Sequence, residues 1–301
     1  MKILVTDGMD KTALAGLIAM GHQVTEQFYG PEELGAALRD FDAVIIRSAT
    51  KIRSRQLEQA AGGRLRLIIR GGVGLDNVDI PAAQALGITV RNTPLASSNA
   101  VAELAIGLMF SCARYISAAG FTMRQGKWEK KAYGKGFELS GKTLGVIGYG
   151  RIGKRIGDLA QALGMQVLAY QRHPNPAYES DTMHFVPLEE LFARADIVAL
   201  STPALDQPIL TAETLAKMKD GVVVINTSRG ANVDEAALLA ALDSGKVRAA
   251  GLDVWAQEPS ANAALYTHPA VSCTPHIGAS TAEAQARIGQ EILEIVRSFG
   301  E

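Results

Sequence analysis

A glycine motif near the middle of the chain constrains the fold more than any other feature of the sequence. Gly148, Gly150 and Gly153 directly follow the apolar run Leu144–Ile147 and precede an amphipathic segment that extends to Leu163. Each glycine meets a different need: the first permits a tight turn, the second lets the backbone approach a ligand, and the third lets a helix pack closely on a strand. The motif therefore predicts a strand, a tight turn and a helix, which is the start of a parallel α/β unit.

The rest of the chain alternates between the same two kinds of segment. Short apolar runs rich in β-branched residues are separated by helix-forming segments in residues 1–96, and the alternation resumes after Gly141. Continuous apolar runs are typical of parallel strands that helices cover on both faces. A long helical segment without a strand, from about Ser98 to Gln125, separates the two blocks. We therefore predict an α/β protein with two doubly wound parallel-sheet domains, one flavodoxin-like and one of the Rossmann type.

The predicted strands are short, and most are bounded by polar residues or glycine. They are Ile3–Val5, Ala43–Ile46, Leu67–Ile69 and Ile88–Val90 in the first block, and Leu144–Ile147, Val167–Ala169, Ile197–Leu200, Val222–Asn226, Ala250–Asp253 and Val271–Cys273 in the second. The last predicted helix, from Thr281 to about Phe299, is too far from a strand partner to be assigned to the second block. We expect it to return to the first block.

The glycine turn also carries a chemical prediction. The N-terminus of a helix attracts phosphate because its first backbone N–H groups have no partner within the helix. A glycine triplet with this spacing between a strand and a helix is the fingerprint of a dinucleotide-binding fold, whereas the alternative is a turn that binds nothing. We predict a pyrophosphate site formed by the whole motif: Gly148, Tyr149, Gly150, Arg151, Ile152 and Gly153.

The residue expected to contact the adenine ribose is neutral rather than acidic. Dinucleotide-binding folds place an acidic residue about 20 positions after the motif, where it binds the ribose hydroxyls. Gln171 lies 18 positions after Gly153 and takes this place, and Arg172 follows it. A guanidinium can pair with the 2′-phosphate that distinguishes NADP from NAD. The sequence therefore favours NADP(H) and leaves NAD(H) open; the alternative for Arg172 is a side chain that contacts only solvent.

A second glycine cluster follows another predicted strand. Gly72, Val73 and Gly74 lack the third glycine of the fingerprint, so a second dinucleotide site is not expected. Successive backbone N–H groups in a glycine turn form a concave nest that holds an anion such as a carboxylate. Arg70 precedes this turn, and Arg47 ends a different apolar strand. We predict a substrate-binding anion site here; the alternative is a structural turn beside surface arginines.

Three further polar residues follow predicted strands of the second block, namely Arg229, Glu258 and His276. In open parallel sheets, ligands bind in the crevice at the carboxyl ends of the strands. Transfer of a hydride to or from a 2-oxo or 2-hydroxy acid needs a cation for the carboxylate and a group that moves the hydroxyl proton. We predict that Arg229 binds the carboxylate, that His276 moves the proton, and that Glu258 fixes the imidazole through a hydrogen bond. Residues 1–96 with 280–301 then form the substrate domain, and residues 97–279 the dinucleotide-binding domain.

Composition excludes several other classes of protein. The chain has 30 Lys and Arg against 31 Asp and Glu, so no global field attracts nucleic acid or an anionic membrane. Its longest apolar stretch, Leu104–Phe110, is far shorter than the roughly 20 residues of a membrane span. Two distant cysteines, Cys112 and Cys273, form no metal-ligand pattern, so we expect no metal site. Without a signal-peptide pattern at the N-terminus, we expect a cytoplasmic protein.

The ordered motifs resemble those of the D-isomer-specific 2-hydroxyacid dehydrogenase family, and most closely its D-3-phosphoglycerate dehydrogenases. Besides the glycine motif, the matching stretches include Gly74–Asp79, Gly126–Glu129, Arg229–Gly230, Glu258–Pro259 and His276–Thr281. The resemblance implies an NAD(P)-dependent enzyme that acts on CH–OH donors, with Arg229, Glu258 and His276 as its catalytic residues.

The resemblance implies further binding residues as well. It places Thr202 and Pro203 along the dinucleotide and Asp253 near the nicotinamide carboxamide. It also implies a homodimer in which Lys130, at a position where the family commonly has arginine, reaches into the neighbouring subunit's site. Because the sequence stops at Glu301, we expect the C-terminal regulatory domain of many phosphoglycerate enzymes to be absent.

Three functions remain open from the sequence. The leading expectation is oxidation of D-3-phosphoglycerate to 3-phosphohydroxypyruvate, or the reverse, in serine biosynthesis, because Arg47, Arg70 and Lys130 suit a phosphorylated substrate. The second is an NADPH-dependent hydroxypyruvate or glyoxylate reductase, which suits Gln171 and Arg172 but gives those three cations less to bind. The third is a dinucleotide-sensing protein similar to the transcriptional corepressors of the family.

Overall fold

The computed structural model describes residues 1–300, which divide into two compact units. The first comprises Met1–Ser98 and the segment from Ala279 onward, and the second comprises Asn99–Gly278. These limits lie within two residues of the domain limits expected from the sequence. Each unit contains one sheet in which every strand pairing is parallel, so the predicted α/β class is confirmed.

The first unit is built on a five-stranded sheet. Its elements are β1 (Lys2–Val5), α1 (Lys11–Ala19), β2 (Gln23–Glu26), α2 (Pro31–Ala37), β3 (Ala43–Ile46), α3 (Ser54–Ala60), β4 (Leu67–Arg70), α4 (Ile80–Ala85), β5 (Thr89–Asn92) and, at the end of the chain, α12 (Ala282–Gly300). The strand order β2-β1-β3-β4-β5 is the flavodoxin-like doubly wound order. Its order reverses between β1 and β3, so the carboxyl ends of these strands mark the expected ligand crevice.

Continuous apolar runs in this unit supply two cores, one on each face of the sheet. Successive side chains of a strand point to opposite faces. Accordingly, Ala43 and Ile45 of β3 pack in one apolar cluster, while Val44 and Ile46 pack in the other. The first of these clusters also contains Ile288, Ile292 and Val296 of α12. The last helix of the chain therefore covers the sheet of the first unit, as expected from the sequence.

The second unit is built on a seven-stranded sheet. Its elements are α5 (Ser98–Arg114), α6 (Ile116–Arg124), β6 (Thr143–Ile147), α7 (Arg151–Ala162), β7 (Gln166–Tyr170), β8 (Met183–Phe185), α8 (Leu188–Arg194), β9 (Ile197–Leu200), α9 (Ala212–Ala216), β10 (Val222–Asn226), α10 (Glu235–Asp243), β11 (Val247–Leu252), α11 (Ala263–Tyr266) and β12 (Val271–Cys273). The order β12-β11-β10-β9-β6-β7-β8 is the Rossmann order with one added strand. The reversal lies between β6 and β9, and the glycine motif begins directly after β6.

Two strands that the sequence did not predict lie at sheet edges. β2 has no buried residue, and β8 is three residues long with only Met183 buried, as judged within residues 1–300. An edge strand has one neighbour and one solvated side, so it does not need the continuous apolar run by which the inner strands were predicted. The short helices α9 and α11 were not predicted either, because five and four residues are too few for a clear helical period.

The long helical segment predicted between the blocks is broken into two helices. α5 and α6 meet at an angle of 67°, and the break falls at Tyr115, whose φ of 56° lies in the left-handed region. A left-handed residue cannot continue a right-handed helix, so the chain turns there. No single helix in residues 1–300 has the length and apolar composition of a membrane span, although this bent pair passes that test when the two helices are taken together.

Candidate active site

The glycine motif after β6 forms a turn that only glycine permits at two positions. Gly148 has a φ of 93°, and a Cβ there would lie 2.7 Å from the carbonyl oxygen of Ser201. A Cβ at Gly153 would overlap the carbonyl oxygen of Gly148. At Gly150, in contrast, a Cβ would meet no atom of residues 1–300 within 4 Å. The turn is therefore tightly packed on its inner side and open at Gly150, where α7 begins.

The other three residues of the motif point in different directions. Tyr149 is buried against Phe185 and Tyr178, and this burial raises the pKa of its hydroxyl to about 12. Ile152 packs against the apolar cluster that contains Tyr149, whereas Arg151 is exposed at the first turn of α7. A ligand at this turn would thus meet the backbone of Tyr149 and Ile152 rather than their side chains.

Gln171 and Arg172 follow β7, beside the glycine motif of the neighbouring strand β6. The side-chain oxygen of Gln171 is buried and has no hydrogen-bond donor within residues 1–300, while Arg172 is exposed. A buried acceptor without a donor is costly, and a sugar hydroxyl would satisfy it. This orphaned oxygen and the open side at Gly150 are features that a dinucleotide fits.

Thr202 and Pro203 follow β9, across the reversal of strand order from the glycine motif. Asn232, a residue that the sequence analysis missed, holds them in place. Its amide nitrogen donates to Thr202 Oγ1 and to the Pro203 carbonyl, each at 3.0 Å, and its oxygen accepts the Leu205 N–H at 3.0 Å. Asn232 is fully buried, and its position three residues after Arg229 offered the only local signal.

His276 and Glu258, two of the predicted catalytic residues, form a polar pair. Nδ1 of His276 lies 2.7 Å from Oε2 of Glu258. Burial by itself would raise the pKa of Glu258, but the hydrogen bond and charge of His276, the Trp255 N–H and the charge of Arg229 all act in the opposite direction. The pKa of Glu258 therefore lies below its usual value, and its carboxylate is ionised at neutral pH.

Asp253 folds the segment that carries His276 into a turn. Asp253 is 1% exposed. Its Oδ1 accepts from the Thr274 hydroxyl at 2.6 Å and the Ile277 N–H at 2.8 Å, and its Oδ2 accepts from the Gly278 N–H at 2.9 Å. The backbone oxygen of Asp253 accepts the His276 N–H at 2.8 Å. His276 has a φ of 55°, a conformation unfavourable for a side-chain-bearing residue. These bonds hold it there, a role that the sequence did not predict for Asp253.

Arg229 follows β10 and is half-buried. Its Nη1 donates to the Ser228 carbonyl at 2.7 Å, and its own carbonyl accepts from the Asn226 side chain at 2.9 Å. Within the second unit, Arg229 is close enough to Glu258 for its charge to lower the pKa of that carboxyl. Arg229, Glu258 and His276, predicted from separate segments, are thus brought together.

The predicted anion site of the first unit has a different construction. Gly72 has a φ of 145°, and a Cβ there would overlap the guanidinium of Arg70. Arg70 therefore folds over the turn, while Val73 is exposed and Gly74 half-buried. Arg47 is held through its backbone: its N–H donates to Asp7 Oδ2, and its carbonyl accepts from Asn77, each at 2.6 Å. Lys130 is exposed in the loop after α6 of the second unit.

The fold and the sequence relatives of the chain identify an oxidoreductase that acts on CH–OH donors with NAD(P). Residues 106–278 match the model of the NAD-binding domain of D-isomer-specific 2-hydroxyacid dehydrogenases. The chain belongs to this family.

The relatives of this chain within the family are named for different substrates. The chain is 45% identical to the hydroxypyruvate reductase of Thermotoga maritima, over 97% of this chain and 96% of the relative. It is 41% identical to the D-3-phosphoglycerate dehydrogenase of Mycobacterium tuberculosis, over 96% of this chain but about half (55%) of that longer relative. Its fold superimposes on a glyoxylate reductase from Paecilomyes thermophila with a TM-score of 0.88 at 31% identity, covering 99% and 94% of the two chains.

Proposed function

We propose that Arg229, Glu258 and His276 are the catalytic residues of a D-2-hydroxyacid dehydrogenase. The observation that carries this proposal is the 2.7 Å contact between His276 Nδ1 and an ionised Glu258. An ionised carboxylate only accepts hydrogen bonds, so Nδ1 carries the proton of that contact. Nε2 is then the nitrogen left to exchange a proton with the substrate hydroxyl.

Each of the three catalytic residues has a separate role. In the oxidation direction, His276 Nε2 accepts the hydroxyl proton, and the Glu258 carboxylate stabilises the imidazolium that results. Arg229 pairs with the substrate carboxylate and fixes its orientation. The nicotinamide supplies the hydride acceptor when it is bound, held through the backbone of residues 148–153 and the side chains of Gln171 and Arg172. In the reduction direction, His276 returns the proton.

Replacement of His276 tests this assignment directly. His276→Ala should lower kcat by about 10²- to 10⁴-fold, since positioned acid–base groups contribute that much, while the dissociation constant for the dinucleotide changes little. Glu258→Gln should lower kcat less and alter its pH dependence. Full turnover of His276→Ala across the pH range would show that the proton moves through another group.

For the substrate, we propose D-3-phosphoglycerate and 3-phosphohydroxypyruvate. The support is the set of cations Arg47, Arg70 and Lys130, which suit the extra charge of a phosphate, with the Gly72–Gly74 turn as a further anion ligand. Hydroxypyruvate or glyoxylate is the second candidate. It is favoured by the 45% identity to a hydroxypyruvate reductase over nearly the full length of both chains.

Arg47→Ala separates these two substrates. If the phosphate contacts Arg47, kcat/KM for phosphohydroxypyruvate should fall about 10- to 150-fold, the equivalent of one charge-assisted contact, while that for hydroxypyruvate barely changes. Equal losses on both substrates would mean that Arg47 supports the fold or the shared carboxylate. The reductase would then be the better assignment.

For the cofactor, we propose that the protein prefers NADP(H). The support is the neutral Gln171 with its unsatisfied oxygen, followed by an exposed Arg172 available to a 2′-phosphate. Replacing both residues, Gln171→Asp with Arg172→Ile, should move the ratio of dissociation constants toward NAD(H). A wild-type protein that binds NAD(H) a hundredfold more tightly than NADP(H) would contradict the proposal.

For the quaternary structure, we propose a homodimer formed through α6. No residue of α6 is buried within residues 1–300, and Ile116, Phe121 and Met123 are each more than half exposed, as is Trp128 in the loop that follows. Apolar patches of this kind mark protein interfaces. Phe121→Glu should yield monomers in sedimentation, and mixed dimers should rescue part of the activity that Lys130→Ala loses if Lys130 serves the neighbouring subunit.

A further inference from the structure

Trp255 connects the two loops that carry the acid–base pair. Its backbone N–H donates to Glu258 Oε1 at 3.2 Å. Its indole Nε1–H donates to the Thr274 carbonyl, also at 3.2 Å, two residues before His276. A single side chain therefore ties the loop after β11 to the loop after β12, one on each side of the Glu258–His276 contact.

The third predicted catalytic segment also packs on Trp255. A Cβ at Gly230 would overlap the carbonyl group of Trp255, so the backbone directly after Arg229 lies against this residue. Only glycine allows so close an approach of two backbones. The segments that carry Arg229, Glu258 and His276 thus meet at one residue, although they are far apart in the sequence.

Burial and ring packing hold the indole of Trp255 in one position. Trp255 is 9% exposed and belongs to the apolar cluster beneath β10 and β11. Its ring packs edge-on against Tyr266, with centroids 6.2 Å apart and an interplanar angle of 86°. A buried Trp N–H usually finds an acceptor, and here the acceptor belongs to the segment that carries the proton-transfer group.

The loop itself does not depend on the indole N–H. Glu235, at the first turn of α10, accepts the Ala256 N–H and the Asn262 side-chain amide, each at 2.8 Å. These two bonds anchor the chain on both sides of Glu258. Loss of the indole donor should therefore release the Thr274 carbonyl without detaching the loop that carries Glu258.

We propose that Trp255 is a positioning residue, whose indole N–H sets the placement of His276 relative to Glu258. This inference rests on the proposed function, in which these two residues form the acid–base pair. His276 holds a left-handed φ, so its segment needs outside contacts to keep that conformation. Asp253, at the start of the loop that carries Glu258, supplies four hydrogen bonds to the turn, and the Trp255 indole adds a fifth, to the Thr274 carbonyl.

Removal of the indole N–H should affect turnover more than binding. Trp255→Phe keeps an aromatic ring and the backbone bond to Glu258 but loses the donor to Thr274. We expect kcat to fall about 5- to 30-fold, the effect of one lost hydrogen bond on a positioned group. KM for the substrate and the dinucleotide dissociation constant, measured by calorimetry, should stay within about twofold because neither ligand loses a contact.

The pH profile supplies a readout that a merely structural role would not change. The contact with His276 is one of the influences that lower the pKa of Glu258, alongside Arg229 and the Trp255 N–H. If Trp255→Phe loosens that contact, the pKa of Glu258 should rise toward its usual value. The acid limb of kcat/KM in the reduction direction, where the Glu258 carboxylate must stay ionised beside the protonated His276, should then move to higher pH. Tyr266→Phe, which retains the edge-on ring contact with Trp255, is the matched control and should leave kcat and the profile unchanged.

A second variant covers the case in which Trp255→Phe does not fold. Incorporation of 3-benzothienyl-L-alanine at position 255 keeps the size of the indole and replaces only its N–H by sulfur. Wild-type kcat and an unchanged pH profile in this variant would overturn the inference. His276→Ala separates the two proposals: full activity there would refute the proposed function, whereas an inactive His276→Ala beside unaffected Trp255 variants would refute the positioning role alone.

Discussion

The two glycine-rich turns of the molecule look alike in sequence but use glycine for different reasons. Both directly follow an inner strand of a parallel sheet, β6 for residues 148–153 and β4 for residues 71–74. In the first turn, the atoms that exclude a side chain at Gly148 and Gly153 are mainly backbone carbonyl groups. In the second turn, the group that excludes a side chain at Gly72 is the guanidinium of Arg70.

This difference teaches how each turn can recognise an anion. The first turn leads into α7, so its rigid backbone presents the N–H groups of a helix N-terminus. The second turn leads into no helix until Ile80, and glycine makes room there for a cationic side chain. We therefore expect the first turn to act through main-chain dipoles alone and the second to combine its backbone N–H groups with a full charge.

The largest effect should follow from Gly153→Ala. The new Cβ would overlap the Gly148 carbonyl, which belongs to the backbone of the turn and cannot move without distorting it. We expect dinucleotide binding to disappear in calorimetry and the free energy of unfolding in urea to fall by about 1–3 kcal/mol or more, as overpacked sites do. Normal binding by a stable Gly153→Ala protein would show that the turn is not rigid.

A smaller and more selective effect should follow from Gly72→Ala. The new Cβ would displace the Arg70 guanidinium, and a φ of 145° is unfavourable for alanine. We expect kcat/KM for the 2-oxo acid to fall about 10- to 150-fold through the displaced charge, with the dinucleotide dissociation constant unchanged. An equal fall in dinucleotide affinity would mean that Gly72 also affects dinucleotide binding, contrary to this expectation.

Gly150→Ala should have a smaller effect still, and on binding alone. A Cβ at this position meets no atom of residues 1–300 within 4 Å, and its φ of −77° is ordinary for alanine. Thermal unfolding should therefore match the wild type. Dinucleotide affinity should fall about 10-fold if a pyrophosphate approaches the backbone here. Unchanged affinity would place the ligand away from this side of the turn.

The smallest effects concern two scaffold carboxylates, one in each unit. Asp42 accepts from the Lys2 N–H at 2.7 Å and from Arg64, and Asp196 accepts from the Thr143 N–H at 2.9 Å and from Lys219. Burial by itself would raise the pKa of each carboxyl, but these donors and cations outweigh it, so both pKa values lie below the usual range. Both carboxylates lie outside the glycine turns. We therefore expect the same pH dependence of stability from each of them, although the two turns differ.

A depressed pKa in the folded state stabilises the protein at pH values above the unfolded-state pKa. That stabilisation is lost as the pH falls through the lower folded-state value. Urea midpoints should therefore decrease below about pH 4. Asp42→Asn and Asp196→Asn should each cost about 1 kcal/mol at pH 7 and flatten this dependence. A flat dependence in the wild type would mean that neither carboxylate is stabilised by folding.

The sequence by itself determined the parts of the protein that depend on local patterns. Inner strands such as β3 and β9 are buried on both faces, so their apolar runs were visible without any partner. The spacing of Gly148, Gly150 and Gly153 likewise specified a strand-to-helix turn, because each glycine answers a constraint within the same turn. The two-sheet α/β class and the family followed from these patterns and are confirmed.

Only the tertiary structure decided how the candidate site is held. Trp255 and Thr274 lie 19 positions apart, and Asn232 and Thr202 lie 30 apart, so no local period links them. The break at Tyr115 and the left-handed φ of His276 are likewise backbone conformations that residues other than glycine adopt only rarely. Such features form because packing and hydrogen bonds between distant segments outweigh local preference, and a sequence read segment by segment contains no signal for them.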